Sequence, residues 1–148
     1  SNQLSSLSPE ITQLSNLTGL SLYNNQLSSL SPEICQLSNL TSWLDLSSNQ
    51  LSSLPPEISQ LSNLSELHLN NNELSSLPSE ISQLSNLRWL SLSDNQLSSL
   101  PLEICQLCNL KWLDLSNNPQ LSSPPPEIVE QGTQAILTYL RARLKAKG

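Results

Sequence analysis

The chain has 148 residues, 36% of them apolar, with three tryptophans, no phenylalanine, no methionine and a formal net charge of -6. That length suits one domain with a continuous core and forces no second large one. Ahead of the last eight positions, where Arg141, Arg143, Lys145 and Lys147 gather, the only basic residues are Arg88 and Lys111, which argues against nucleic acid as a ligand because phosphate neutralisation needs clustered Lys and Arg.

The chain opens inside a unit that recurs about every 23 residues, typified by Leu61 to Ile81. The asparagine after each Leu-x-Leu marks the period at Asn25, Asn49, Asn72, Asn95 and Asn118, with Asn2 as the remnant of an earlier unit. A solenoid normally carries a polar cap over its first turn, so an opening in mid-unit suggests a piece of a larger protein with a frayed first turn. A unit of this size cannot bury its apolar face alone, and the copies must stack.

Within each unit the alternation Leu-x-Leu predicts a short strand at Leu20–Leu22, Leu44–Leu46, Leu67–Leu69, Leu90–Leu92 and Leu113–Leu115, side by side in a parallel sheet. The following Asn is expected to point inward, where its amide satisfies backbone groups left unpaired by the turn. The return limb, as in Leu54-Pro-Pro-Glu-Ile-Ser-Gln-Leu61, predicts a helical turn on the convex side. Proline presets its first dihedral, and Glu10, Glu33, Glu57, Glu80, Glu103 and Glu127 fall in the first turn, where the helix dipole favours negative charge.

Two units break the period. Asn25 to Asn49 spans 24 residues, the extra one falling in Leu40-Thr-Ser-Trp-Leu44, where a local bulge is expected at the entrance to the strand. The last unit carries one extra residue in Asn118-Pro-Gln-Leu121, and Pro124 stands where a leucine is due, so the regular array is ending. Beyond Gly132, Thr133 can act as N-cap of an amphipathic helix whose apolar stripe is Ile136, Leu137, Leu140 and Leu144. The expected division is a solenoid over 1–131 and a capping or connecting helix over 132–148.

Cys35 and Cys105 share one repeat phase three turns apart, roughly 14 to 15 Å at strand spacing and beyond disulfide reach. Free thiols in a reducing compartment, and so a cytoplasmic location, are the expectation. Cys105-Gln-Leu-Cys108 has the spacing of half a zinc site, but without a second half it reads as packing, and no metal or cofactor is expected. No signal peptide or membrane-spanning run is visible, so no membrane partner is expected.

The unit Leu-x-x-Leu-x-Leu-x-x-Asn-x-Leu-x-x-Leu-Pro-x-Glu-Ile-x-x-Leu resembles the leucine-rich repeat, in its class of about 23 residues, over residues 1 to about 131. The resemblance implies an α/β solenoid, a curved horseshoe with a parallel sheet on its concave face and helical turns outside, whose usual activity is protein recognition. The segment from Pro124 to Leu140 is similar to the closure of the repeat array in bacterial Roco-type proteins, just before their GTPase domain. That similarity implies a signalling parent protein in which these repeats recruit a partner or regulate the adjacent domain. No phosphate-binding Gly-x-x-x-x-Gly-Lys-Ser/Thr motif occurs in the chain, so no nucleotide chemistry is expected within it.

Residues flanking the inward leucines project to the concave face. The position before the first leucine reads Gly19, Trp43, Glu66, Trp89 and Trp112, so all three tryptophans share a phase. Large aromatics of this kind serve as binding anchors, and an aligned ridge is expected, with Trp89 and Trp112 about 5 Å apart and Trp43 about 10 Å from Trp89. Around it lie Tyr23, Asp45, His68, Asp94 and Asp114, with Arg88 and Lys111 entering from the strand starts. Gly19 apart, these eleven residues form the candidate site, for a protein or peptide partner with matching apolar and basic groups, on a fragment expected to be monomeric. His68, the only histidine, lacks a dry pocket and a positioned nucleophile, so an enzyme is not expected; it reads as a surface contact that makes binding sensitive to pH near 6 to 7.

Overall fold

Each Leu-x-Leu run forms a three-residue strand in the computed structural model, which describes residues 16–147. Strands β1 (Gly19–Ser21), β2 (Trp43–Asp45), β3 (Glu66–His68), β4 (Trp89–Ser91) and β5 (Trp112–Asp114) make one parallel sheet in chain order. They begin and end one residue earlier than the leucine pattern suggests, because pairing starts at the outward residue ahead of the first leucine. Register is constant across the sheet. Gly19, Trp43, Glu66, Trp89 and Trp112 are successive partners, and so are Leu20, Leu44, Leu67, Leu90 and Leu113. Asn2, the expected frayed turn and Glu10 lie outside the described residues.

The return limbs are single 3-10 turns at Pro32–Gln36, Pro56–Gln60, Ser79–Gln83 and Leu102–Gln106. Pro32 and Pro56 open two of them, where a missing N–H costs nothing, and Pro78 and Pro101 stand just before the other two. Glu33, Glu57, Glu80 and Glu103 occupy the first turns, complementing the local dipole. Between strand and turn the core is almost wholly leucine and isoleucine: Leu44, Leu67, Leu90, Ile58, Ile81 and Ile104 have no exposed surface.

The inward asparagines bolt successive turns together. The Asn72 Oδ1 accepts from Leu51 N–H at 2.9 Å, while its Nδ2 donates to Leu46 O and Leu69 O, each at 3.0 Å. Asn49, Asn95 and Asn118 repeat the pattern, accepting from Leu27, Leu74 and Leu97 and donating to Leu22, Leu69 and Leu92 of the turn before. Among the described residues no buried side-chain nitrogen or oxygen lacks a hydrogen-bond partner. The residue ahead of each asparagine turns the chain with positive φ, from 57° to 61° at Asn24, Ser48, Asn71, Asp94 and Asn117. Asn and Asp visit this left-handed region more readily than other residues with a Cβ, which explains four of the five.

The extra residue of the 24-residue unit is absorbed before β2. There the Thr41 and Ser42 amides both bond Thr18 O, whereas at β4 and β5 the equivalent pairs are Arg88 with Trp89 and Lys111 with Trp112, one residue later. At the far end, Pro124 is buried where leucine was due, and the last return limb is a short α-helix, α1 (Pro126–Val129), with Glu127 in its first turn.

Helix α2 (Thr133–Lys147) buries Ile136, Leu137 and Leu140 in the common core, with Leu144 packed at its margin, against β5 and the Leu102–Gln106 turn. Thr133 is not the expected N-cap. It is the first helical residue; Gly132, at φ 99°, precedes it, and the Gly132 carbonyl accepts from Ile136 N–H. The Thr133 hydroxyl instead accepts from Leu113 N–H at 2.9 Å, occupying part of the sheet edge that a next strand would cover. No helix among the described residues is long and apolar enough to cross a membrane.

Candidate functional site

Constant register sets the outward side chains of the sheet in columns, and the column containing the tryptophans carries three of the four large apolar side chains that are exposed among the described residues. Trp112 is 49% exposed, Trp43 44% and Trp89 37%. Trp89 and Trp112 are Cα partners on neighbouring strands, and their rings stack with centroids 5.1 Å apart at 19°. The His68 ring lies 5.9 Å from Trp89 on the other side, tilted by 38°, and its Nε2 is 3.1 Å from Glu66 Oε1. Trp89 is thereby flanked on both faces, which accounts for its being the least exposed of the three.

Trp43 does not extend this ridge. It shares the column, but Glu66 stands between it and Trp89, and its indole lies over Gly19 on β1. A Cβ on Gly19 would meet the Trp43 ring at 2.6 Å, so the indole occupies room that exists only because that partner has no side chain. The expected row of three is a stacked pair plus a separate indole.

The carboxylates divide in a way that the sequence pattern did not anticipate. Asp45 Oδ1 accepts from the Ser47 N–H at 3.0 Å and the Ser47 hydroxyl at 2.5 Å. Asp114 does the same with Ser116, at 3.0 and 2.7 Å. Both close the exit of their strands. Asp94 sits in the left-handed turn beyond β4, where its residue type suits the backbone. Tyr23 is exposed just beyond β1, away from the stacked pair.

Arg88 and Lys111 are exposed on adjacent chain segments, joined by Lys111 N–H to Arg88 O at 2.8 Å. Neither belongs to an ion pair among the described residues, where the sole pair is His68 with Glu66. A shallow depression of about 440 Å³ is lined by Ser65, Glu66, Arg88, Trp89, Lys111 and Trp112. It shares Arg88 and Lys111 with a neighbouring one of about 330 Å³ completed by Asn86 and Asn109. The structure therefore gathers Glu66, His68, Arg88, Trp89, Lys111 and Trp112, and leaves Tyr23, Trp43, Asp45, Asp94 and Asp114 outside the cluster. Asn86 and Asn109 were not among the expected residues; their signal was the phase they share in Leu-Ser-Asn-Leu and Leu-Cys-Asn-Leu just ahead of the two basic residues.

A further hollow of about 340 Å³ lies at the end of the array, between β5 with the chain following it and α1, and of the expected site residues only Asp114 lines it. Cys35 and Cys105 are buried and Cys108 is exposed, all as free thiols. Burial, reinforced by the Glu57 carboxylate, pushes the Cys35 thiol up to about 12. No group of three or more potential metal-ligating side chains occurs among the described residues.

The leucine rich repeat model matches residues 1–51, 38–97 and 62–119, and a second model of the same repeat matches 109–130. A leucine-rich repeat protein of Leptospira interrogans has a similar structure, with a TM-score of 0.81 and 46% identity over 88% of this chain. An internalin of Listeria monocytogenes superposes with a TM-score of 0.65 and 26% identity over 78% of this chain. The chain spans 33% and 36% of the lengths of those two proteins. No curated protein matches it.

Proposed function

The chain belongs to the leucine-rich repeat family, whose members are generally protein-binding modules, and we propose that it is a non-enzymatic module that captures a protein or peptide segment on the concave sheet. One observation carries this reading: two stacked indoles, 37% and 49% exposed, stand on a rigid sheet whose other aromatic neighbour is a histidine held by a carboxylate. Exposed tryptophans on a preorganised surface lose little entropy on binding and act as anchors. A catalytic use of His68 finds no support in the geometry, since Asp45 bonds Ser47 and His68 bonds Glu66, and no Ser-His-Asp relay is assembled among the described residues.

The test is capture of partner by the wild-type chain beside Trp89→Ala/Trp112→Ala. The double variant is expected to keep its circular dichroism and melting transition and to lose capture. Undiminished capture by the folded variant overturns the reading.

A finer version makes the chain part of a Roco-like signalling protein of bacterial type, with the inner face docking on an adjacent GTPase domain. It is supported by the closing segment from Pro124 to Leu140, which forms α1 and the first half of α2. A Gly-x-x-x-x-Gly-Lys-Ser/Thr motif in the parent protein soon after this segment would favour it. The three free thiols support a reducing, cytoplasmic setting for the same reading, and the helix α2 closing the core supports a monomer.

A further inference from the structure

Among the described charged groups on the strands and at their starts, only the two cations lack a side-chain partner; Asp94, in the turn beyond β4, is an anion without one. Asp45 and Asp114 are engaged by Ser47 and Ser116, and Glu66 by His68, whereas Arg88 and Lys111 have no ion pair among the described residues. They are also the only basic residues before the C-terminal helix, in a chain of net charge -6, and both line the two shared depressions beside the stacked indoles. The stacked pair beside them supplies apolar surface, Trp89 and Trp112 being 37% and 49% exposed.

We propose that this site seats an acidic peptide segment, with a carboxylate side chain held between Arg88 and Lys111 and a neighbouring apolar side chain laid on Trp89 and Trp112. The proposal rests on the concave-face reading above and reverses the sign of the partner expected from the distribution of acidic residues in the sequence. A guanidinium and an ammonium side by side suit a carboxylate in fork and point contacts. A polyanion is disfavoured, because the chain carries twelve acidic residues against only these two Lys or Arg residues outside the C-terminal helix. The ligand is therefore a peptide with one or two carboxylates at this point.

The experiment titrates short synthetic peptides that alternate phenylalanine or leucine with glutamate, and the same peptides with lysine or glutamine in place of glutamate, into the full chain while reading tryptophan fluorescence. The glutamate series is expected to bind, to weaken with added salt, and to lose about tenfold or more in affinity in Arg88→Glu/Lys111→Glu. Arg88→Gln/Lys111→Gln should fall between, with unchanged circular dichroism in both variants. Preference for the lysine series, equal binding of all three, or no response to any of them overturns the acidic-peptide assignment. Capture of partner by wild type but not by Trp89→Ala/Trp112→Ala would leave the concave-face reading standing in that event, so the two fail separately.

Discussion

Trp89 stacks on Trp112 at 5.1 Å while remaining more than one-third exposed, a pairing fixed by neighbouring positions in one column of the sheet. Two indoles so close couple their electronic transitions. A couplet in the circular dichroism of the native protein should vanish in either Trp89→Phe or Trp112→Phe and persist in Trp43→Phe. Its survival in all three would mean that the stack does not form.

Asn72 makes three buried hydrogen bonds, two of them to the turn before, and Asn72→Leu strands the Leu51 N–H while the Leu46 and Leu69 carbonyls keep one donor each, from Asn49 and Asn95. At about 1 to 3 kcal/mol for a buried group left unpaired, the loss should reach about 2 to 3 kcal/mol. Asn71→Ala, one position earlier at φ 61°, should cost only about 1 kcal/mol through its left-handed backbone. Urea unfolding of the two variants provides the check, and equal losses would contradict the inward ladder.

Ser48 is the one turn residue of its column that is neither Asn nor Asp, at φ 57°. Ser48→Asn should stabilise by about 0.5 to 1 kcal/mol, because asparagine tolerates the left-handed region better. The present contact from Asn71 Nδ2 to Ser48 Oγ, at 3.1 Å, can be replaced by the new side-chain oxygen. A fall in melting temperature would refute the backbone argument.

Cys35 loses its proton far less readily when folded, its value rising from 9.0 to about 12 chiefly through burial. Between those limits the unfolded chain ionises first and binds fewer protons, so stability falls as pH rises from about 9 toward 12. Cys35→Ser, the residue found at the same phase as Ser59, should flatten that decline. A thiol reagent at neutral pH should modify one cysteine, Cys108, in the native protein and all three after denaturation.

Much of this was legible because the leucine period ties sequence position to orientation. Leu67 and Leu90 had to face inward, and Trp89 and Trp112 therefore had to share a column. Side-chain direction within the column was another matter. Trp43 leans over Gly19, a vacancy that becomes meaningful only once the two are known to be partners. The short motif Asp-x-Ser in Asp45-Leu-Ser47 and Asp114-Leu-Ser116 held the clue that those carboxylates serve the chain itself, and it was masked by the abundance of serine. Thr133 looked like a cap because helix signals are local, whereas its partner Leu113 is distant in sequence.

The unit with one residue too many keeps its place in the sheet, since Thr41 and Ser42 take up the slack before Trp43 meets Gly19. Length and aim are thus uncoupled. The approach to a strand can grow or shrink while each outward side chain keeps its address, so a lineage is free to edit the inner surface one square at a time, as on a chessboard, and leave the frame undisturbed.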